Sequence, residues 1–229
     1  MSVAVVADAH LGGPGGSADE LIAQLDELAR SDCRHLVLLG DLFHVWVGAR
    51  RYETPEIRAL AGTLEKLRRQ GFQIDYIEGN RDFFIGEGPY AQLFDRVANE
   101  VEFEAGGRRY LAVHGDGLND RDYLYRFWNW LSKSPASRFF MLHLPRSLAR
   151  WLVSVTERQL AKTNFKHKSS IPEAAIRAYA ERRFEEGIDV LLLGHFHEAR
   201  RWQLGEGEVQ LLEAWFKGHR VEIFGDDGE

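Results

Sequence analysis

Seven side chains able to ligate a hard or borderline metal ion follow directly on apolar, strand-like runs: Asp8, His10, Asp41, Asn80, His114, His195 and His197. The runs occupy residues 3–7, 35–39, 73–77, 109–113 and 189–193. They lead into Asp8-Ala9-His10, Gly40-Asp41, Glu78-Gly79-Asn80, His114-Gly115-Asp116 and Gly194-His195-Phe196-His197. Three carboxylate or amide oxygens and four imidazoles are more than one ion accepts while leaving room for a substrate, so two ions are expected. Asp41, with two carboxylate oxygens and a place on what reads as the central strand, is the expected bridge. Mixed oxygen and nitrogen ligation without thiolate suits manganese, iron, zinc or a related divalent ion and does not choose among them. Two such ions lower the pKa of water toward 7 and neutralise phosphoryl oxygens, which is the chemistry of phosphoester hydrolysis. One Asp or His after a strand is ordinarily a cap or a turn residue; a donor at every one of five strand ends is not explained that way.

The elements must bring these residues together. In an α/β sheet the crevice beyond the carboxyl ends of the strands gathers residues distant in sequence. Residues two apart on an extended chain point to one side, so Asp8 with His10, and His195 with His197, are expected to face one cavity. Between the strands, residues 17–30 carry a helical apolar face at Leu21, Ile22, Leu25 and Leu28, opened by Ser17 with Glu20 three places on. Residues 55–70 repeat the pattern. Residues 102–113 read as a hairpin turning at Gly106-Gly107, and residues 209–224 as another turning at Lys217-Gly218, so a second sheet is expected beside the first. The rhythm is that of an α/β or layered α-β-β-α protein. Residues 124–165 break it: Phe127, Trp128, Trp130, Phe139, Phe140 and Trp151 lie among basic residues, and two or three amphipathic helices are expected, punctuated by Pro135 and Pro145.

Together these residues resemble the calcineurin-like metallophosphoesterases, whose pattern is Asp-x-His, Gly-Asp, Gly-Asn-His-Asp/Glu, His and Gly-His-x-His. The resemblance runs from Asp8 to His197. It implies a four-layer α-β-β-α metallophosphoesterase sandwich, with Asp8, His10, Asp41 and His197 on one metal and Asp41, Asn80, His114 and His195 on the other. Gly79-Asn80-Arg81-Asp82-Phe83, with Arg in place of the usual His, and Gly40-Asp41-Leu42-Phe43-His44-Val45-Trp46 are similar to the UDP-2,3-diacylglucosamine diphosphatases of lipid A biosynthesis. That family also carries a helical insertion before its last His-x-His, here residues 123–168 as a lid within a single domain, 1–229. The resemblance implies cleavage of a nucleotide-diphosphate lipid to UMP and a diacylated sugar phosphate, with Asn80, Arg81 and His195 catalytic. Substrate contacts are implied at those three and at Asp122, Asn164, Lys166 and Lys168. The chain departs from the family where Ala49-Arg50-Arg51 replaces an acidic run, at Glu198-Ala199 and at Arg121-Asp122.

Arg81 is fixed in charge and forked, suited to hold a phosphate by two hydrogen bonds, and Asp82 is expected to orient Arg81 or a metal-bound His. A diphosphate leaves as a phosphate, a stable leaving group, so the missing acid His favours a diphosphatase over an alkyl phosphodiesterase.

The 229 residues, 45% hydrophobic and 28% charged, suit one globular domain. The single cysteine, Cys33, excludes an intramolecular disulfide and a Cys-based zinc cluster, and reads as a small buried residue before a strand. No signal peptide and no run of about 20 apolar residues is visible, so a cytoplasmic chain without a spanning helix is expected. The net charge of −6 argues against a nucleic-acid partner, although residues 123–168 hold nine Lys or Arg and one acid, Glu157. That basic, aromatic segment is expected to cover the site and take up acyl chains, and the resemblance implies a peripheral contact with the inner leaflet of the inner membrane. A phosphodiesterase or nuclease of the same superfamily is the rival reading.

Overall fold

The computed structural model describes residues 2–118, 123–145, 148, 155 and 171–225. Asp122, Asn164, Lys166 and Lys168 lie outside the described residues.

Strands β1 (Val3–Val6), β2 (His35–Leu38), β4 (Gln73–Ile77) and β6 (Arg96–Ala98) run parallel in the first sheet, with β12 (Glu222–Phe224) antiparallel on the edge of β1. The second sheet has the order β10 (Arg200–Leu204), β11 (Gly207–Leu211), β9 (Val190–Leu193), β8 (Arg108–Val113) and β7 (Glu100–Ala105). Its three inner strands are parallel. A short parallel pair, β3 (Trp46–Val47) and β5 (Asp82–Phe83), forms a separate two-stranded sheet.

Side-chain alternation sorts the core into layers. From the first sheet, Ala4, Val6, Leu36, Leu38 and Ile74 pack under helices α1 (Ala18–Leu28) and α2 (Pro55–Arg69), while Val3, Val5, Val37 and Ile77 meet Val101, Ala112, Val190 and Leu192 of the second. The outer face of the second sheet, Leu111, Leu191, Leu193 and Val209, receives Ile176 and Ala180 of a helix over Glu173–Glu185, here α5. The result is the four-layer α-β-β-α sandwich expected from the sequence. The helices begin as their caps dictate: the Ser17 side chain accepts from the Glu20 amide, and Thr54, before Pro55, accepts from the Ile57 amide. Each fully buried leucine on their inner faces contributes about 2 kcal/mol of burial.

Two expectations are corrected. The five donor-bearing strands do not share one sheet: β1, β2 and β4 belong to the first, β8 and β9 to the second, and the sandwich aligns their carboxyl ends. Residues 209–224 are not a hairpin. Both edges of β11 are already taken by β10 and β9, so the chain crosses instead to the free edge of β1. It does so through a single helical turn, α6 (Trp215–Gly218), anchored by Trp215 N donating to Ala7 O at 2.8 Å. The hairpin over β7 and β8 forms as expected around Gly106-Gly107.

After β8, helices α3 (Tyr123–Ser132) and α4 (Pro135–His143) form a contacting pair, with Ser134 capping α4 by accepting from the Ser137 amide. Of the large apolar side chains exposed among the described residues, all but Ile223 belong to this segment: Tyr123, Phe127, Trp130, Phe139, Phe140, Leu142 and Leu148. No helix among the described residues is long and apolar enough to cross a membrane.

Candidate metal centre

The loops after β1 and β2 stay zipped beyond their strands: Asp8 N donates to Gly40 O, His10 N to Asp41 O and Leu11 N to Leu42 O, at 3.2, 3.0 and 3.0 Å. Pairing of this kind would run straight on if the residues were extended, and they are not. Asp8, His10, Asp41, His195 and His197 all have left-handed backbone, with φ of 50°, 46°, 50°, 64° and 57°. Each such residue costs on the order of 1–3 kcal/mol, and clusters of them mark functional sites. The expected extended chain is therefore not what brings Asp8 and His10 together: sharp turns aim both into one space.

All seven candidate donors meet at this rim. Asp8, Asp41 and His114 are at most 2% exposed, His10 5% and His197 7%; Asn80 and His195 are half-buried. Donor atoms of Asp8, His10 and His197 lie within 4.8 Å of one another, as do those of Asp8, Asp41 and His114. Asp41 turns Oδ2 toward His10 Nε2 and Oδ1 toward His114 Nε2, both at 3.8 Å. Asn80 Oδ1 stands 3.3 Å from His114 Nε2, and the His195 ring lies 5.3 Å from that of His114. The His195 amide donates to Asp8 Oδ2 at 2.7 Å, tying β9 of one sheet to β1 of the other.

The donor set fits divalent cations. His10 Nε2 is buried with no hydrogen-bond partner among the described residues, yet lies 3.6 Å from Asp8 Oδ1. Such an atom is costly to bury unless something ligates it. Burial pushes His10 down to about 4, leaving a neutral ring with a lone pair to give. Burial also raises Asp41. At Asp8 burial is outweighed by the facing His10 and His197 rings and by the charge of His114, which hold the carboxyl well below the ordinary range. His114 is pushed the other way, up to about 9, because Asp41, Asp8 and Asp116 outweigh its burial. A cation ligated by His114 would displace that proton.

Arg81 is 1% exposed, with Nε 3.4 Å from Asp41 Oδ2 and a terminal nitrogen 3.0 Å from His44 Nδ1. Asp82 Oδ2 accepts from the Asp41 and Gly79 amides at 2.9 and 2.8 Å, fastening the loops after β2 and β4 together, and burial with the nearby Asp41 charge raises its carboxyl to about 6.

The calcineurin-like phosphoesterase pattern matches residues 1–199. This chain belongs to that family. The phosphoesterase is 29% identical to a UDP-2,3-diacylglucosamine hydrolase of Chromobacterium violaceum over 237 residues, covering 100% of this chain and 96% of that one. It is 31% identical to a UDP-2,3-diacylglucosamine hydrolase of Pseudomonas putida over 179 residues, covering 76% and 72%. Among solved structures, a dimetal phosphatase from Danio rerio superposes with a TM-score of 0.50 at 15% identity, covering 99% and 93%, a likeness of fold.

Residues that sequence reasoning passed over also line the phosphoesterase site. Phe216 of α6 packs edge-on against His10 and His197 at 5.1 and 5.0 Å. Lys217 donates to His197 O at 2.9 Å. His44 meets Arg81, and Lys133, just past α3, donates to Gly79 O at 2.9 Å. His44 stood in the quoted motif; Phe216 and Lys217 carried no signal, because their segment read as a hairpin.

Proposed function

We propose that this phosphoesterase hydrolyses the diphosphate of UDP-2,3-diacylglucosamine to UMP and 2,3-diacylglucosamine 1-phosphate, a step of lipid A biosynthesis. The observation that carries the reading is a buried Asp/His pocket whose Gly79 loop is joined through Lys133 to a helical pair with exposed apolar and aromatic side chains. Relatives of that name, aligned along the whole chain, support it.

Asp8, His10, Asp41 and His197 would hold one divalent ion and Asp41, Asn80, His114 and His195 a second, manganese being the metal we expect, with Asp41 shared through its two oxygens. The two triads have Asp8 in common, and Asp41 faces His10 and His114 with separate oxygens, as a bridge requires. When bound, such ions activate water near neutral pH and neutralise phosphoryl oxygens. Arg81 sets a permanent positive charge against Asp41 and beside the pocket, opposing the charge that grows on phosphorus oxygens. Asn80 and His195, half-buried at the mouth, face the reacting phosphate. Water oxygen forms a new bond to one phosphorus as the bridging P–O bond to it breaks, and the other phosphate departs as a stable anion, so no strong acid is needed. The pair α3 and α4 acts as part of a lid over residues 123–168, receiving acyl chains and meeting the inner leaflet, with Asp122, Asn164, Lys166 and Lys168 as substrate contacts.

Purified chain with manganese should hydrolyse UDP-2,3-diacylglucosamine far faster than a generic phosphodiester or a monoester. Asp41→Asn should abolish both turnover and metal loading while leaving the circular dichroism spectrum unchanged. Equal rates on all three substrates would remove the lipid assignment, and steeply salt-dependent cleavage of single-stranded nucleic acid would replace it with a nuclease.

A further inference from the structure

Gly79 is gripped from two sides. On the inner side its amide donates to Asp82 Oδ2 at 2.8 Å, and its α-carbon is pressed so close to the pocket that a Cβ would lie 2.3 Å from Asp41 Oδ1 and 2.9 Å from His114 Cε1. On the outer side its carbonyl accepts from Lys133 Nζ at 2.9 Å. Lys133 sits between α3 and α4, in the loop that Ser134 and Ser137 close; Ser137 Oγ donates to Leu131 O at 2.6 Å. The next two residues along the gripped loop are Asn80, with Oδ1 3.3 Å from His114 Nε2, and Arg81, whose amide donates to Asp41 Oδ1 at 2.8 Å. The lysine charge also reaches the two carboxyls flanking the loop: burial raises Glu78 and Asp82, and Lys133 opposes the rise at each.

We infer that Lys133 is a positioning residue: from the helical pair it holds the Gly79 peptide against Asp41 and His114, and so fixes where Asn80 and Arg81 stand. The inference rests on the reading of Asn80 and Arg81 as site residues. A hydrogen bond from a charged donor to a carbonyl is among the stronger kinds, and losing it leaves the Gly79 carbonyl with only the long 3.4 Å hydrogen bond from the Asp82 amide among the described residues. The helical pair is thereby linked to the phosphate-facing groups as well as to any lipid it covers. A lysine serving only to dock the pair would affect lipid binding and nothing else.

The test compares the full chain carrying Lys133→Met or Lys133→Arg with the unsubstituted protein. Hydrogen exchange of the peptide over residues 77–84 is measured together with manganese-supported kinetics on UDP-2,3-diacylglucosamine and on bis(4-nitrophenyl) phosphate, which is too small to need the helical pair. Lys133→Met should speed exchange in that peptide and lower kcat about tenfold on both substrates, with KM for the lipid changed by less than about twofold. Lys133→Arg, which keeps a charged donor, should restore most of both. Unchanged exchange and kcat in Lys133→Met, or a rise confined to KM for the lipid, overturns the inference. If Lys133→Met loses protection across the whole chain, Lys133→Gln is judged by the same two criteria. Asn80→Ala separates the two levels: full activity in that variant removes the site reading, while the exchange result still judges Lys133 alone.

Discussion

Phe216 braces one side of the pocket. Its ring meets His10 and His197 edge-on, and those two imidazoles meet each other at 5.0 Å, so three rings hold one another's tilt. An imidazole can ligate only along its lone pair, and groups behind a ligand that set its orientation are worth about 10–100-fold in metal affinity. Phe216→Ala should therefore weaken manganese binding about tenfold in a chelator competition, with Phe216→Tyr near the parent value; equal affinities would show that the backbone turns alone orient the rings. The donors themselves were legible in the sequence because each stands straight after an apolar run. Their left-handed backbone was not, since Asp8 and His10 read equally well on an extended strand. Phe216 could not be found either, because His10 lies near the other end of the chain and the segment after His197 read as a hairpin.

At the scale of elements, the departure Ala49-Arg50-Arg51 acquires a purpose. The Arg51 guanidinium donates to Leu142 O and Leu144 O, and Tyr52 Oη donates to Met141 O at 2.7 Å, so the last carbonyls of α4 are capped by a neighbouring loop. Arg138 pins the same helix to Glu87 at 2.9 Å. A helix placed by a handful of polar contacts, with aromatic side chains facing out, is held lightly enough to adjust to a lipid. Arg51→Ala removes one charged anchor, a loss of about 1 kcal/mol at a half-exposed site, and should raise KM for the lipid about fivefold while leaving turnover of the small diester unaltered. A fall in small-diester turnover would mean that Arg51 acts on the pocket itself. Strand and helix positions, the Ser17 cap and the Gly106-Gly107 hairpin could be read from local pattern. The division of the donor strands between two sheets, and the pairing of β12 with β1, could not, because they depend on which strand edges remain free once everything else has paired.

Over the whole molecule, one buried cluster ties the sheets together away from the pocket. Asp75, fully buried, accepts from His35 at 2.7 Å, Gln73 at 3.0 Å and Arg96 at 2.9 and 2.7 Å, and Arg96 reaches on to Glu102 O of β7. Burial alone would raise this carboxyl; the hydrogen bonds from Arg96, His35 and Gln73 outweigh it and hold it below the usual range. A depressed carboxyl stabilises the fold fully above its unfolded value of about 3.9, and that contribution is lost as pH falls below it. Asp75→Asn should cost about 3 kcal/mol in urea melts at pH 7, the low end for a broken buried pair because Arg96 is half-exposed, and the gap from the parent should narrow at pH 3. A gap that stays constant would mean packing rather than charge. The turns that carry Asp8, His10, Asp41, His195 and His197 work against this reserve, because the rest of the sandwich must hold five side-chain-bearing residues where glycine would sit more comfortably. Selection of this protein for heat resistance alone would thus drift toward glycine at those very positions, yielding a sturdier molecule that no longer turns over.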